Sequence, residues 1–177
     1  MSQEKIAASM ERIQSALQRK PHAGLSEDSP ATVRWAGGLR TAARSVGGTE
    51  ITTDMPATMG GDETGPTPGW LLRNALASCA VTRIVMAAAQ RGIVLDTLEA
   101  HATSRSDLRG LFGMAEPDGR LVPAGPLAIA LHVRVGATGV DAQLLRELVE
   151  STTGCSPVTC ALEQPLGVGL QVEVTSN

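Results

Sequence analysis

Hydrophobic residues recur every three or four positions in two long stretches of the chain, a spacing typical of helices. Residues 3–19 carry apolar side chains on one face and charged ones on the other, which predicts an amphipathic helix. Residues 69–91 are apolar around most of the circumference, which is typical of a central helix. Thr67 is the predicted N-cap of that helix, and Pro68 takes the first helical position, where its missing N–H costs nothing.

Alternation of apolar and polar residues predicts strands elsewhere in the chain. Three short strands are predicted within residues 31–54, where Gly37-Gly38 and Gly47-Gly48 mark hairpin turns. Further strands are predicted over residues 93–107, 126–137 and 168–174. Two shorter helices are predicted over residues 141–153, with Asp141 as N-cap, and from about Ser156 onward. Loops are predicted over residues 57–69 and 108–125.

Because the predicted strands cluster instead of alternating with helices, we expect an α+β fold with antiparallel sheets packed on the long central helix. The Pro-, Gly- and Ser-containing stretch 20–30 predicts a linker after the first helix. Residues 1–25 are therefore predicted to form a helical arm and linker, and residues 26–177 a single domain. The arm is expected either to wrap a partner subunit or to cover its own domain.

Composition excludes several classes of function. Aromatic residues make up 2% of the 177 residues and the net charge is -3, which argues against stacking on single strands and against a basic nucleic-acid surface. No run of about 18 uninterrupted apolar residues predicts a membrane span. The N-terminal stretch lacks the pattern of a secretory signal, so a cytoplasmic location is expected.

Three cysteines are candidates for chemistry, and an odd count without an export signal argues against a disulfide framework. Cys79 lies in the middle of the apolar helix, where a thiol is either inert packing or a nucleophile activated by an arginine. Cys155 lies at the start of a predicted helix, a position that favours the thiolate. Cys160 is five residues further on with no nearby histidine, which is not a zinc pattern, and no metal or bound cofactor is expected.

Four segments together resemble the OsmC/Ohr family of thiol peroxidases. GPTPGWLLRNALASCAVTRIVMAAAQRGI resembles that family's central helix with its peroxidatic cysteine, and SPVTCAL resembles its second, Pro-Val motif. VRWAGGLRTAARS resembles the first hairpin, and DLRGLFGM the loop after the strand that follows the helix. The resemblance covers about residues 31–175.

The resemblance implies an intertwined homodimer that reduces organic hydroperoxides, with two active sites at the subunit interface. In residues of this chain it implies that Cys79 attacks the peroxide and becomes a sulfenic acid, which condenses with Cys155 to a disulfide. Cys160 is the alternative resolving residue. An external dithiol of lipoyl type, or another small thiol, would then reopen the disulfide. The apolar side of the central helix independently favours a second subunit as its cover.

The family's activating arginine belongs to the first hairpin, which implies Arg40 here, with Arg44 as the alternative. An apolar wall would favour alkyl or fatty-acid hydroperoxides. That wall is expected from Met55, Met59, Leu111, Phe112 and Met114.

Two positions depart from the family pattern. Gly69 stands where peroxidase members carry a glutamate that holds the arginine, and Asp62 or Glu63 is the candidate replacement. Ser156 stands directly before Pro-Val, where the resolving cysteine is usual, and Cys155 lies one position earlier. The alternative interpretation is therefore a peroxidase-deficient dimer of the same fold that binds a small apolar ligand or is purely structural, with an arm that recruits a partner.

Overall fold

The structure, a computed structural model, describes residues 3–164 and 166–175. Its helices are α1 (Gln3–Arg19), α2 (Pro68–Gln90), α3 (Leu108–Leu111), α4 (Ala142–Thr153) and α5 (Pro157–Glu163). Its strands are β1 (Thr32–Trp35), β2 (Thr41–Arg44), β3 (Glu50–Thr53), β4 (Thr97–Arg105) and β5 (Ala128–Gly136). Short 3-10 turns lie at Pro21–Gly24 and Ala57–Met59.

Helix α2 begins and ends as its sequence predicts. The Thr67 hydroxyl oxygen accepts a hydrogen bond from the Trp70 N–H at 3.2 Å, and Pro68 is the first helical residue. Just after the helix, Gly92 takes a φ of +66°, a left-handed conformation that favours glycine. The predicted N-cap Asp141 of α4 is confirmed in the same way, since its carboxylate accepts from Gln143 N–H at 2.8 Å.

The core of the protein lies along one side of α2. The buried stripe has the four-residue spacing of one helix face and consists of Leu76, Ala80, Ile84 and Ala88. Ile84 and Ala88 pack with Ile93, Leu145 and Leu148, so β4 and α4 cover this side. By length and composition alone α2 is apolar enough to cross a membrane. In this fold it is the helix on which α1, β4, α4 and α5 pack.

The strands form two antiparallel sheets, which confirms the predicted α+β class. β1, β2 and β3 form a meander in that order, with Trp35 opposite Thr41 and Thr41 opposite Thr53. β4 and β5 pair over nine residues each, from Thr97 opposite Gly136 to Arg105 opposite Ala128. β4 packs on α2, whereas all four residues of β1 are exposed to solvent.

The predicted strand over residues 168–174 is wrong. Among the described residues this segment belongs to no strand, and its apolar residues are exposed by 74% to 93%. Alternation predicts a strand with one buried face, but a strand also needs a neighbouring backbone, and the described part of this chain provides none. The predicted loops also contain local helix, the Ala57–Met59 turn and α3.

Helix α1 packs on α2 of its own chain. The Gln3 side-chain amide donates to the Ile93 carbonyl at 2.6 Å, and no described residue of α1 is buried. The arm therefore lies on its own domain with its apolar face only partly covered.

Candidate active site

Cys79 faces away from the buried stripe of α2 and lines an open cleft of about 650 Å³. One wall consists of α2, and the other is the turn between α4 and α5 together with the start of α5. We call this the Cys79 cleft; its described lining residues are Ala75, Ser78, Cys79, Thr82, Arg83, Met86, Cys155, Pro157 and Val158. The cysteine predicted as nucleophile is thus half-buried beside a space that a ligand can enter.

A buried serine contacts the Cys79 sulfur. The Ser156 hydroxyl donates a hydrogen bond to Cys79 Sγ at 3.2 Å, and only 1% of Ser156 is exposed. The turn after α4 places it there, because Ser156 N–H donates to the Thr153 carbonyl at 3.1 Å and reverses the chain toward α2. The sequence assigns Ser156 no role beyond starting α5, and nothing local in the sequence indicates the partner 77 residues away.

Cys155 lines the same cleft as Cys79 and is exposed. Cys160 does not appear among the described lining residues, and its Sγ lies 3.5 Å from the Gly154 carbonyl oxygen. All three cysteines are free thiols in this structure. The geometry therefore brings Cys79 and Cys155, but not Cys160, to one cleft.

Arg83 is the guanidinium in the Cys79 cleft. It follows Cys79 by four residues on α2, so the two side chains share one helix face. Its Nε is buried without a hydrogen-bond partner among the described residues, and Nη1 lies 3.9 Å from Met86 Sδ. The i, i+4 spacing from Cys79 is the sequence signal that identifies this residue, which the hairpin resemblance overlooks.

Neither hairpin arginine is among the described residues that line the Cys79 cleft. Arg40, directly before β2, forms an ion pair with Asp62 at 3.8 Å. Arg44 forms an exposed pair with Glu50 at 4.0 Å, across the ladder of β2 and β3. Glu63, the other candidate partner, instead accepts a hydrogen bond from Ala57 N–H at 3.0 Å. Arg40 is thus paired with a carboxylate of this chain and lies outside the described lining of the Cys79 cleft.

A buried carboxylate organises the loop that carries Asp62. Asp54 is 1% exposed and accepts hydrogen bonds from Met55 N–H, Asp62 N–H and both the backbone and the hydroxyl of Thr64. Burial raises the pKa of a carboxyl group, but here the bonds from Thr64, Met55 and Asp62 outweigh it and lower the pKa of Asp54 to about 2. The ionised form of Asp54 therefore fixes the backbone of this loop through these hydrogen bonds.

Acid is expected to remove this contribution. Because the pKa of Asp54 in the fold lies below its ordinary value of 3.8, its stabilising effect is present above pH 3.8 and is lost as the pH falls through about 2. Thermal unfolding of wild type and Asp54→Asn should differ most at neutral pH and converge in acid. Glu11→Gln, a change of an exposed carboxylate on α1, is the control and should show no such convergence. A pH-independent difference for Asp54→Asn would contradict the assignment.

The expected apolar wall does not line the Cys79 cleft within one chain. Leu111, Phe112 and Met114 are more than half exposed, on a loop that begins with α3. Arg109 braces this loop through ion pairs with Asp107 at 2.6 Å and Glu116 at 2.9 Å. The loop is therefore an ordered apolar projection that lies outside the described lining of the cleft.

Comparison with known proteins identifies one family. The model of that family, described as OsmC-like protein, matches residues 60–171. A comparison with curated proteins finds no match. Among solved structures, an OsmC-like protein from Mycoplasma pneumoniae is similar at 18% identity, covering 78% of this chain and 89% of that chain, with a TM-score of 0.64.

Two further solved structures share the fold. An OsmC-like protein of unknown function from Vibrio cholerae is 15% identical, covering 78% of this chain and 95% of that chain, with a TM-score of 0.62. An organic hydroperoxide resistance protein OsmC from Legionella pneumophila is 18% identical, covering 78% of this chain and 90% of that chain, with a TM-score of 0.57. At these identities the solved structures establish the fold of this chain, and the chemistry has to be argued from the residues of its own site.

Proposed function

This chain belongs to the OsmC-like protein family, and we propose that it is a thiol-dependent peroxidase that reduces organic hydroperoxides. The observation that carries the proposal is the Cys79 cleft, where a half-buried thiol accepts a hydrogen bond from Ser156 and a second thiol, Cys155, lines the same space. Structural neighbours named as organic hydroperoxide resistance proteins support this substrate class.

The proposed reaction uses both thiols. The Cys79 thiolate attacks the terminal oxygen of the hydroperoxide; the O–O bond breaks, an S–O bond forms and, with one proton taken up, the alcohol leaves. The Cys155 thiol then attacks the Cys79 sulfenic acid, which forms the disulfide and releases water. An external dithiol of lipoyl type reduces that disulfide by exchange and is itself oxidised to a cyclic disulfide.

We further propose that the protein acts as an intertwined homodimer. Three apolar surfaces lack cover within the described chain: the side of α2 that carries Trp70, strand β1, and the segment 168–174. Several exposed apolar segments in one chain favour burial in an interface. We expect a dimer by light scattering at micromolar concentration, and a monomer there would contradict the proposal.

In such a dimer, the hairpin arginine is proposed to act on the Cys79 cleft across the subunit interface. Arg40 is the candidate because its side chain is 42% exposed against 72% for Arg44, and because it pairs with Asp62, which would replace the glutamate absent at Gly69. A fixed guanidinium near the sulfur favours the thiolate and the developing negative charge. The projecting loop with Phe112 is proposed to form the apolar wall by the same assembly.

Arg40→Gln is therefore expected to lower the second-order rate with an organic hydroperoxide by about 10²-fold, which is typical of removing one electrostatic donor. Arg44→Gln is the matched control, since it removes the other arginine of the same hairpin, and should retain the wild-type rate. Stopped-flow measurement of hydroperoxide consumption checks both variants. Equal effects of the two variants, or loss of rate only in Arg44→Gln, would contradict the assignment of Arg40.

One observation favours a second candidate function. Gly69 leaves no carboxylate at the start of α2, as expected of a peroxidase-deficient dimer that binds a small apolar ligand. Hydroperoxide consumption together with thiol alkylation separates the two. A ligand-binding protein would consume no cumene hydroperoxide, and its Cys79 would react with iodoacetamide only in alkaline solution.

A further inference from the structure

The Ser156 hydroxyl can donate a hydrogen bond to the Cys79 sulfur because it does not cap a helix. Serine is among the preferred N-cap residues, and Ser156 is the N-cap residue of α5, yet its side chain makes no capping hydrogen bond. The hydroxyl is directed instead across to α2, where it donates to Cys79 Sγ at 3.2 Å. The local sequence predicts a cap, and the tertiary structure uses the same group elsewhere.

Burial makes this contact consequential. Ser156 is 1% exposed, so water does not compete for its hydroxyl, and a buried donor left unpaired is costly. The adjacent turn of α5 offers a contrast, since Thr159 is also buried but its hydroxyl has no partner among the described residues. The two hydroxyls therefore provide a natural comparison, one aimed at the sulfur and one not.

The contact discriminates between the two states of the thiol. Neutral sulfur is a weak acceptor, whereas a thiolate is a charged one, and hydrogen bonds to charged groups are roughly twice as strong as neutral ones. A donor that is already in place therefore stabilises the anionic sulfur more than the protonated thiol. The other polar or charged groups among the described lining residues are Ser78, Thr82 and Arg83 on α2 and Cys155 in the turn before α5.

We propose that Ser156 is a positioning residue for Cys79, whose hydroxyl hydrogen bond fixes the sulfur beside the cleft and favours its reactive thiolate. The inference rests on the proposed function only in taking Cys79 as the nucleophile. Because residue 156 provides a hydroxyl, its contact with Cys79 does not become a disulfide. Resolution of the sulfenic acid then falls to the exposed thiol of the preceding residue, Cys155.

The first experiment measures the alkylation of Cys79 by iodoacetamide at neutral pH, with the labelled residue located by peptide mass spectrometry. Ser156→Ala is expected to slow labelling of Cys79 by about tenfold, which corresponds to loss of one hydrogen bond to a charged acceptor. Ser156→Thr, which keeps the hydroxyl, should recover most of the rate. Thr159→Val, which removes the unpartnered hydroxyl of the same helix, should label at the wild-type rate.

The ultraviolet absorbance of the thiolate provides a readout that a purely structural role would not move. It should fall in Ser156→Ala and stay unchanged in Thr159→Val, with circular dichroism showing that both variants are folded. Wild-type labelling and wild-type thiolate absorbance in folded Ser156→Ala would overturn the proposal. These measurements use no peroxide, so an absence of peroxidase activity in the wild type would contradict the proposed function and leave the test of Ser156 intact.

A second variant, Ser156→Cys, tests the contact between residue 156 and Cys79 if Ser156→Ala does not fold. Ser156→Cys places a thiol where the hydroxyl now lies 3.2 Å from Cys79 Sγ, close enough for a disulfide after a small adjustment. Diamide, a general thiol oxidant that is itself reduced, should then join Cys79 to the introduced thiol, as shown by the mass of the linked peptides. Bridging of Cys79 only to Cys155 in this variant would place Ser156 away from the sulfur in solution and overturn the proposal.

Discussion

Cys79→Ser is expected to abolish the consumption of organic hydroperoxides, with a fall in rate of at least about 10³-fold, because the variant lacks the nucleophile of the covalent step. The serine hydroxyl fits the space of the thiol but does not ionise near neutral pH. The fold should survive, since Cys79 lies outside the buried stripe of α2. Hydroperoxide consumption with a dithiol reductant measures the effect.

Cys160→Ser is the matched comparison for Cys79→Ser. Its sulfur does not belong to the described lining of the Cys79 cleft, so the variant is expected to turn over at close to the wild-type rate. Retained activity in Cys79→Ser would show that another residue is the nucleophile. Loss of activity in Cys160→Ser, with Cys155→Ser unaffected, would exchange the roles of the two candidate resolving residues.

Leu148→Ala is expected to lower the free energy of unfolding by about 2–5 kcal/mol, the range observed when a buried leucine is truncated. Leu148 is 0% exposed and packs α4 against Ile84 and Ala88 of α2. The loss is a large part of the total stability of a typical domain. Denaturant titration followed by circular dichroism measures it, together with the midpoint of unfolding.

Leu144→Ala on the same helix provides the control for packing. Leu144 is 41% exposed, so its truncation should cost far less than that of Leu148. Since α4 leads directly into Cys155 and Ser156, loosening α4 should also misplace the wall of the Cys79 cleft. Similar losses of stability in the two variants would contradict the position of the core along this side of α4.

The helices and the fold class follow from local pattern because their signals are local. The N-caps Thr67 and Asp141 lie beside the helices they start, and the residues of α2 alone are enough to predict its apolar surface. Strand pairing is harder to predict, since the same alternation occurs in β5, which has a partner strand, and in residues 168–174, which have none among the described residues. The alternation of apolar and polar residues alone does not show which segment of the chain pairs with a given strand.

The residues of the candidate site also differ in how far the local sequence predicts them. Cys79 and Cys155 follow from the order of motifs along the chain, and the structure brings both to one cleft. The contact of Ser156 with Cys79 spans 77 residues and depends on how the turn after α4 folds back on α2, which no local pattern encodes. Arg40 illustrates the opposite case, because the motif indicates it but the structure leaves it outside the described lining of the Cys79 cleft.

Mass spectrometry of the protein after one equivalent of an organic hydroperoxide shows which cysteines react. We expect a single intramolecular bridge that joins Cys79 to Cys155, with Cys160 left as a free thiol. A bridge between Cys155 and Cys160, or an unmodified Cys79 after exposure to the peroxide, would contradict it.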